Sequence, residues 1–440
     1  MIPSMRIAWF SPLPPERSGI AAYSANLVPL LAQAHQIDCW AGANARDFLW
    51  TARRDPYDLF IYQLGNAPCH DYMWGYLAAF PGLVVLHDAR LHHARARALL
   101  QQERFDDYRH EFWYDHPDAP RDFVEYAVAG LGGLVYYNWP MLRVVMRTAR
   151  MIAVHNPRVA ADLREEFPGA AIDAIHLGTA PLATATAAAA DARRRLRQAL
   201  GVPEDAVLFA AFGKITAEKR IGAILRAFDA VAGGRDDVHL LIAGDASGYP
   251  ALERELAASA SAPRVHVIGY VPDEAIGDHL LASDACLCLR WPTALETSAS
   301  WLQCLSAARP TVISELAHLT DVPSIDPRTR RLSHASIEPV AIAIDLIEEE
   351  EALKVALRAL AEEPALRDRL ARAGYAYWAA HHTLDVMAGD YVRLIAKAAA
   401  RPAPVVKDLP AHFTDDHSST ARTITERFGI AIGDVLSSKF

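Results

Sequence analysis

Positive charge is in short supply in this chain: 44 Lys and Arg face 53 Asp and Glu over 440 residues, a net charge of −9. Such a surface does not advertise nucleic-acid binding, so any anionic ligand has to be held by a local concentration of cations. Cysteine is scarce too. The five present (Cys39, Cys69, Cys286, Cys288 and Cys304) follow neither a zinc spacing nor a secreted framework. Cys286 and Cys288 alternate within an apolar run and read as small buried thiols. The uncharged stretch 126–142 is 17 residues long and contains Asn138 and Pro140, short of the roughly 20 apolar residues a spanning helix needs. The opening MIPSMRIAWFSPLPP shows no basic region followed by a long apolar run, so no cleaved signal is expected. Tandem repeats are missing as well. Together these absences lead us to expect a soluble protein in a reducing, cytoplasmic setting.

What the chain does have is apolar material, 52% of its residues, enough for two cores of ordinary domain size. Short apolar runs alternate with longer helical patterns. In the first half the runs are 5–10, 37–42, 58–64, 82–88, 151–156 and 171–178; in the second, 206–213, 238–245, 264–270, 285–290 and 310–314. Runs without polar alternation suit strands buried on both faces of parallel sheets. The alanine-rich TAPLATATAAAADA at 179–192 separates the two series. The expected fold is therefore α/β, two Rossmann-like doubly wound domains facing across a cleft. We place an acceptor-side domain at 1–185, a second domain at 186–378, and a returning helix with a tail at 379–440. Residues 335–375 read as helical and charged, and 376–399 as a further helix. Ligands are expected where the carboxyl ends of the strands meet the cleft.

Four strand ends carry chemistry. After the first strand, Ser18-Gly19 leads into a helix, where glycine permits close approach and the helix start offers free N–H groups. After 206–213, Gly213 is followed by Lys214 and, five residues on, Lys219. Two ammonium groups beside a strand-end glycine make a local anion site; a solvated basic turn containing Glu218 and Arg220 is the plainer alternative. The stretch RWPTALETSASWLQCLSAARP at 290–310 sets Glu296, Thr297, Ser298 and Ser300 at the mouth of a helix expected to start near Thr297. Its hydroxyls can cap the helix or donate to a phosphate, and Glu296 can accept from sugar hydroxyls. The fourth end is VVLHDARLHH, with His87 and Asp88 at the strand terminus. The preceding strand end offers Gly65, Asn66 and His70 similarly. Metal ligation by His87, Asp88 and His92 or His93 fits no zinc pattern.

Taken in order, SPLPPERSGIAAYS, VLHD, FGKITAEKR, IAGD, VIGYVPDE and ETSASWLQCLSAARPTVIS resemble the family 4 retaining glycosyltransferases of the two-domain GT-B fold, over about residues 5–400. The resemblance implies a nucleotide-diphosphate sugar, UDP- or GDP-linked, bound by the second domain, and no cofactor or metal. It implies that Lys214 and Lys219 hold the diphosphate beside Gly213, and that Gly269, Tyr270 and Val271 lie beside the base. Gly19 approaches the phosphates and His87 the donor sugar, with Thr297 and Ser298 on the phosphates and Glu296 on the sugar. The chain departs from the family's paired glutamates: Thr-Ser-Ala-Ser follows Glu296 where Gly-x-Gly is usual, and Gln303 stands in the second glutamate's place as a neutral ribose partner.

The reaction so implied is transfer of a hexose-like sugar to an acceptor hydroxyl in polysaccharide, lipopolysaccharide or glycolipid assembly. Lys214, Lys219, Glu296 and His87 are its catalytic candidates, and Asn66, His70 and Asp88 line the acceptor side. Asp-x-Asp occurs nowhere, which argues against a metal-chelated donor. The aromatic segment 104–142 reads as an acceptor wall, as ordinary core helices, or as a contact with the inner membrane face if the acceptor is lipid-linked. An epimerase or hydrolase on the same fold, and an inactive binding subunit, remain alternatives; nucleic acid is not expected as a partner, and the sequence does not set the oligomeric state.

Overall fold

Apolar runs become parallel strands in the computed structural model, which describes residues 4–182, 186–415 and 419–429. Two compact units result. The first comprises Met1–Ile175, Ala294–Glu296 and the described residues from Ala388 on; the second is His176–Thr293 with Thr297–Met387. The junction expected at 185/186 falls at the edge of 183–185, which lie outside the described residues.

The first unit holds β1 (Arg6–Phe10), β2 (Gln36–Trp40), β3 (Leu59–Leu64), β4 (Leu83–Leu86), β5 (Met151–Val154) and β6 (Ile172–Ala174) in the order β2-β1-β3-β4-β5-β6. The second holds β7 (Val207–Phe212), β8 (Val238–Ala243), β9 (Val265–Gly269), β10 (Ala285–Cys288), β11 (Thr311–Ser314), β12 (Ser324–Ile325) and β13 (Ala341–Ile344), in the order β12-β13-β11-β10-β7-β8-β9. Both sheets are parallel, as in Ile7↔Leu59 and Phe209↔Leu240. In β7, Val207, Phe209 and Ala211 enter one core while Leu208, Ala210 and Phe212 enter another on the opposite face. A strand apolar at every position is thus covered on both sides.

Two expectations need correction. β13 lies inside 335–375, which reads as helical. Residues 340–344 are all apolar, and pairing of Val312 with Ile342 overrides the helical character of the charged run that begins at Glu349. The helix expected near Thr297 starts at Ala299, because the Ser298 hydroxyl accepts from Trp301 N at 3.3 Å and takes the cap position.

Much of the aromatic segment 104–142 is core: Tyr108 and Phe112 are fully buried, and Trp113, Phe123, Tyr136 and Trp139 pack against them. Tyr126, Leu131 and Leu134 are exposed. Among the described residues, no helix is long and apolar enough to cross a membrane.

The ends of β7 and β8 touch backbone to backbone. A methyl group on Gly244 would stand 2.0 Å from Gly213 O, where no side chain can yield. Gly244→Ala should therefore destabilise the second unit by about 3 kcal/mol, read as a lower thermal midpoint by circular dichroism.

Candidate functional site

In the second unit, Gly213 closes β7 in the left-handed region (φ +87°), with its N–H on Ala243 O at 3.0 Å. The chain then folds through a single turn, Ala217–Lys219, that returns Lys219 to the strand end, where its Nζ donates to Phe212 O. A methyl on Gly213 would lie 3.0 Å from Lys219 Nζ and 3.7 Å from Ser300 Oγ. Glycine thus leaves open a small space on which an ammonium group and a hydroxyl converge. Ser298 Oγ is 3.2 Å from Ser300 Oγ at the start of the helix Ala299–Ser306, whose leading amides add positive potential.

The turn carrying Lys219 is anchored by its neighbours. Arg220 sits in the left-handed region (φ +59°), and its Nε donates to the Glu349 carboxylate at 2.8 and 3.1 Å. Trp291 N donates to Glu218 O at 2.7 Å. Arg220 and Glu218 therefore fix the loop rather than simply solvating it. Glu349 lies 129 residues beyond Arg220, so sequence spacing held no signal for the pair.

The other candidates of this unit are placed less closely. Lys214 is exposed, and its Cε lies 3.9 Å from where a methyl on Gly248 would stand. Gly269 ends β9 at φ +69°; Tyr270 is exposed and Val271 is buried in the core beside Phe212 and Ala243. Gln303 is half-buried on the helix Ala299–Ser306, and Thr297 precedes that helix's cap. Buried Cys286 and Cys304 cluster with half-buried Cys288, the Sγ atoms of Cys288 and Cys304 being 3.9 Å apart. Burial, then the neighbouring thiols, push the Cys304 thiol well up.

Glu296 belongs to the first unit. Ala89 N donates to Ala294 O at 2.8 Å, and Leu295 packs in that unit's core. The Glu296 carboxylate accepts from Ala294 N at 2.8 Å, which folds the loop on itself.

In the first unit Gln63, a buried residue that sequence reasoning missed, engages both His70 and His87. Gln63 Nε2 donates to Tyr391 OH at 3.0 Å, so its Oε1 faces His87 Nε2 at 2.8 Å as acceptor. That fixes the proton of neutral His87 on Nε2. Tyr391 OH also meets Tyr23 OH at 2.7 Å. The half-buried His87 ring lies 4.8 Å from Tyr23 and 4.9 Å from His155; burial, then His155 and His70, hold its pKa well below the usual value.

His70 and Asp88 meet over Gly65, where a methyl would stand 3.3 Å from both His70 Nε2 and Asp88 Oδ2. The His70 ring is buried, with Nδ1 on Gln63 O at 2.8 Å; its Nε2 has no hydrogen-bond partner among the described residues. Burial pulls its pKa down to about 4 against that hydrogen bond, and the Arg97 charge lowers it further, so it is a neutral acceptor at pH 7. Asn66 is turned inward: its amide donates to Arg90 O at 2.7 Å and accepts from Ala94 N at 3.1 Å. Its backbone N–H reaches Asp88 Oδ2 at 2.7 Å. Gly19 opens the helix Gly19–Leu31 behind the Ser18 cap, with open space where a side chain would be. His92 is engaged by Trp139 O and Tyr108 OH at 2.7 and 2.6 Å. Among the described residues, no group of three or more His, Cys, Asp or Glu is arranged to hold a metal ion.

Known proteins share the fold of this chain. Residues 206–344, which carry the Gly213–Lys219–Ser300 cluster, match the family described as Glycosyl transferases group 1. Anabaena Alr3699/HepE, crystallised with UDP and glucose, is 12% identical, with 89% of this chain and 100% of that chain covered at a TM-score of 0.61. Sucrose-phosphate synthase from Thermosynechococcus elongatus is 15% identical, covering 89% and 98% at 0.60. WaaG, a glycosyltransferase involved in lipopolysaccharide biosynthesis, is 13% identical, covering 88% and 99% at 0.58. No curated protein sequence matches the chain. At such identities the likeness is one of fold: two Rossmann-like domains of the GT-B glycosyltransferase type.

Proposed function

We propose that the protein is a retaining, family 4 type glycosyltransferase that moves a hexose-like sugar from a UDP- or GDP-linked donor to an acceptor hydroxyl. The observation that carries this reading is the convergence of Lys219, Ser300 and a helix start on the open face of Gly213, inside the segment that matches the family. A strand-end glycine, an ammonium group and leading amides suit a diphosphate. The UDP and glucose bound to the Anabaena structure make a nucleotide sugar the natural donor class.

As the bond between the anomeric carbon and the diphosphate oxygen breaks, its electron pair leaves with the diphosphate. Lys219, helped by Lys214 and the amides after Ser298, stabilises that charge where it grows. In the retaining course the acceptor oxygen bonds to the anomeric carbon on the face the diphosphate leaves, and its proton passes to the departing phosphate oxygen. Charge balance then rests on side chains and amides, with no metal ion required. We assign His87 and Glu296 to the donor sugar, Gln303 to the ribose, and Gly269, Tyr270 and Val271 to the base. Thr297 and Ser298 join Gly19 on the phosphates. Asp88 and His70 serve the acceptor, while Asn66 positions the Asp88 loop. The function of WaaG favours an envelope saccharide or glycolipid as acceptor, handled at the cytoplasmic membrane face.

Product analysis tests the reading. Release of nucleoside diphosphate should depend on an added saccharide or glycolipid acceptor and yield a product of retained anomeric configuration. Release that ignores the acceptor would mark a hydrolase or epimerase, and binding without turnover an inactive subunit.

A further inference from the structure

The first unit carries a second concentration of positive charge, at the opposite end of its sheet from His87 and Gly65. An open groove of about 630 Å³ runs along the amino ends of β5 and β6, beginning at Met151 and Ile172. Three of its lining side chains are cations, Arg164, Lys397 and Arg401, and one is a carboxylate, Asp173. The rest of the lining is mostly apolar, with Met151, Pro168 and Ala400 among it.

The cluster has a physical frame. Arg393 and Lys397 lie four residues apart on one side of the helix Leu384–Ala399, and Arg401 follows just past its end. Asp173 gathers the first two together with Arg164: Arg393 Nη1 donates to its Oδ2 at 2.7 Å, Lys397 Nζ at 2.8 Å, and Arg164 Nη2 lies 3.6 Å from Oδ1. Burial pushes the Asp173 carboxyl up, but Lys397, the Ala174 amide and Arg393 outweigh it and hold its pKa down. Arg393 is further balanced by Asp390 at 3.1 Å. Lys397 and Arg164 are each about half exposed. Arg401 makes one hydrogen bond among the described residues, from Nε to Arg150 O at 3.1 Å. With Arg393 shared with Asp390, Asp173 alone cannot neutralise Arg164, Lys397 and Arg401, the three cations that line the groove. In a chain with net charge −9, the surplus at one preorganised groove calls for an anion.

We propose that this groove binds a phosphate ester, with Lys397, Arg401 and Arg164 on the phosphate and the apolar floor under the organic moiety. A soluble phosphate monoester and the headgroup of an anionic phospholipid share that chemistry. The proposal is independent of the Lys219 cluster, which lies in the other unit.

The test uses the full chain and two probes: glycerol 3-phosphate, followed by phosphorus line broadening, and vesicles of phosphatidylcholine with or without phosphatidylglycerol, followed by co-sedimentation. Wild-type protein should bind at least one. Binding of glycerol 3-phosphate without preference for phosphatidylglycerol assigns the groove to a soluble ester; preference for phosphatidylglycerol vesicles assigns it to a lipid headgroup. Arg401→Gln leaves the Asp173 ion pairs in place and should weaken binding about fivefold; Lys397→Gln with Arg401→Gln should weaken it about 25-fold. The thermal response to nucleoside diphosphate should stay unchanged in both variants. Failure of wild-type protein to bind either probe overturns the proposal, as does undiminished binding by the double variant.

Discussion

Lys219→Ala should lower kcat/KM for sugar transfer by about 10²–10³-fold, the loss expected when a preorganised charge at a leaving group is removed. The reason is positional. Lys219 Nζ is held at the end of β7 by Phe212 O, and the turn beneath it is fixed by Arg220 on Glu349. The ammonium group meets the diphosphate without first giving up freedom, so its effect falls on the step where charge develops. Lys214 is exposed and lies toward Gly248; Lys214→Ala should cost about tenfold, as for a solvent-screened charge. Steady-state kinetics with saturating acceptor separate the two. An equal loss in both variants would remove the distinction drawn from their placement.

Arg95→Ala should destabilise the first unit by about 3–5 kcal/mol, because it strands a buried carboxylate. Arg95 Nε and Nη2 donate to Glu111 at 2.5 and 2.7 Å, and His412 Nε2 reaches the same carboxylate at 3.0 Å. The guanidinium also stacks 4.3 Å from Trp74 and 5.3 Å from Phe413, so the C-terminal segment is tied to the helices of the unit through one charge centre. Burial pushes the Glu111 carboxyl up, but Arg95 and His412 outweigh it and set it at about 2. Its ordinary value is 4.5, so this stabilisation is complete above about pH 4.5 and is lost as pH falls toward 2. Urea unfolding of the wild type and of Arg95→Ala between these limits should show the gap shrinking with acid. The apolar pair Arg95→Met with Glu111→Leu should recover most of the loss, since neither charge is then buried alone.

The strands were legible because runs such as 206–213 are apolar at every position, a pattern only a sheet covered on both faces needs. The Gly213 and Lys219 pairing was legible because five residues are enough for one turn to bring a lysine back to its strand end. β13 was hidden by its length: four residues beside a charged helix give no period to read. Gln63 was hidden for another reason. Its partner Tyr391 lies 328 residues away, and only the closing helix Leu384–Ala399 brings them together. Asn66 shows the reverse, a polar strand-end residue whose amide is turned inward to Arg90 and Ala94. Polarity at a strand end marks a place; the partners that engage it are set by tertiary structure.

The most direct measurement is the thermal midpoint of wild-type protein and of Lys219→Ala with UDP and GDP. A bound nucleotide at 100 times its dissociation constant adds about 2.7 kcal/mol to folding, so at least one of the two should raise the wild-type midpoint and leave the variant nearly unmoved. A wild-type protein indifferent to both nucleotides, or a variant that responds as fully as wild type, would contradict the assignment of Lys219 and Gly213 to a diphosphate.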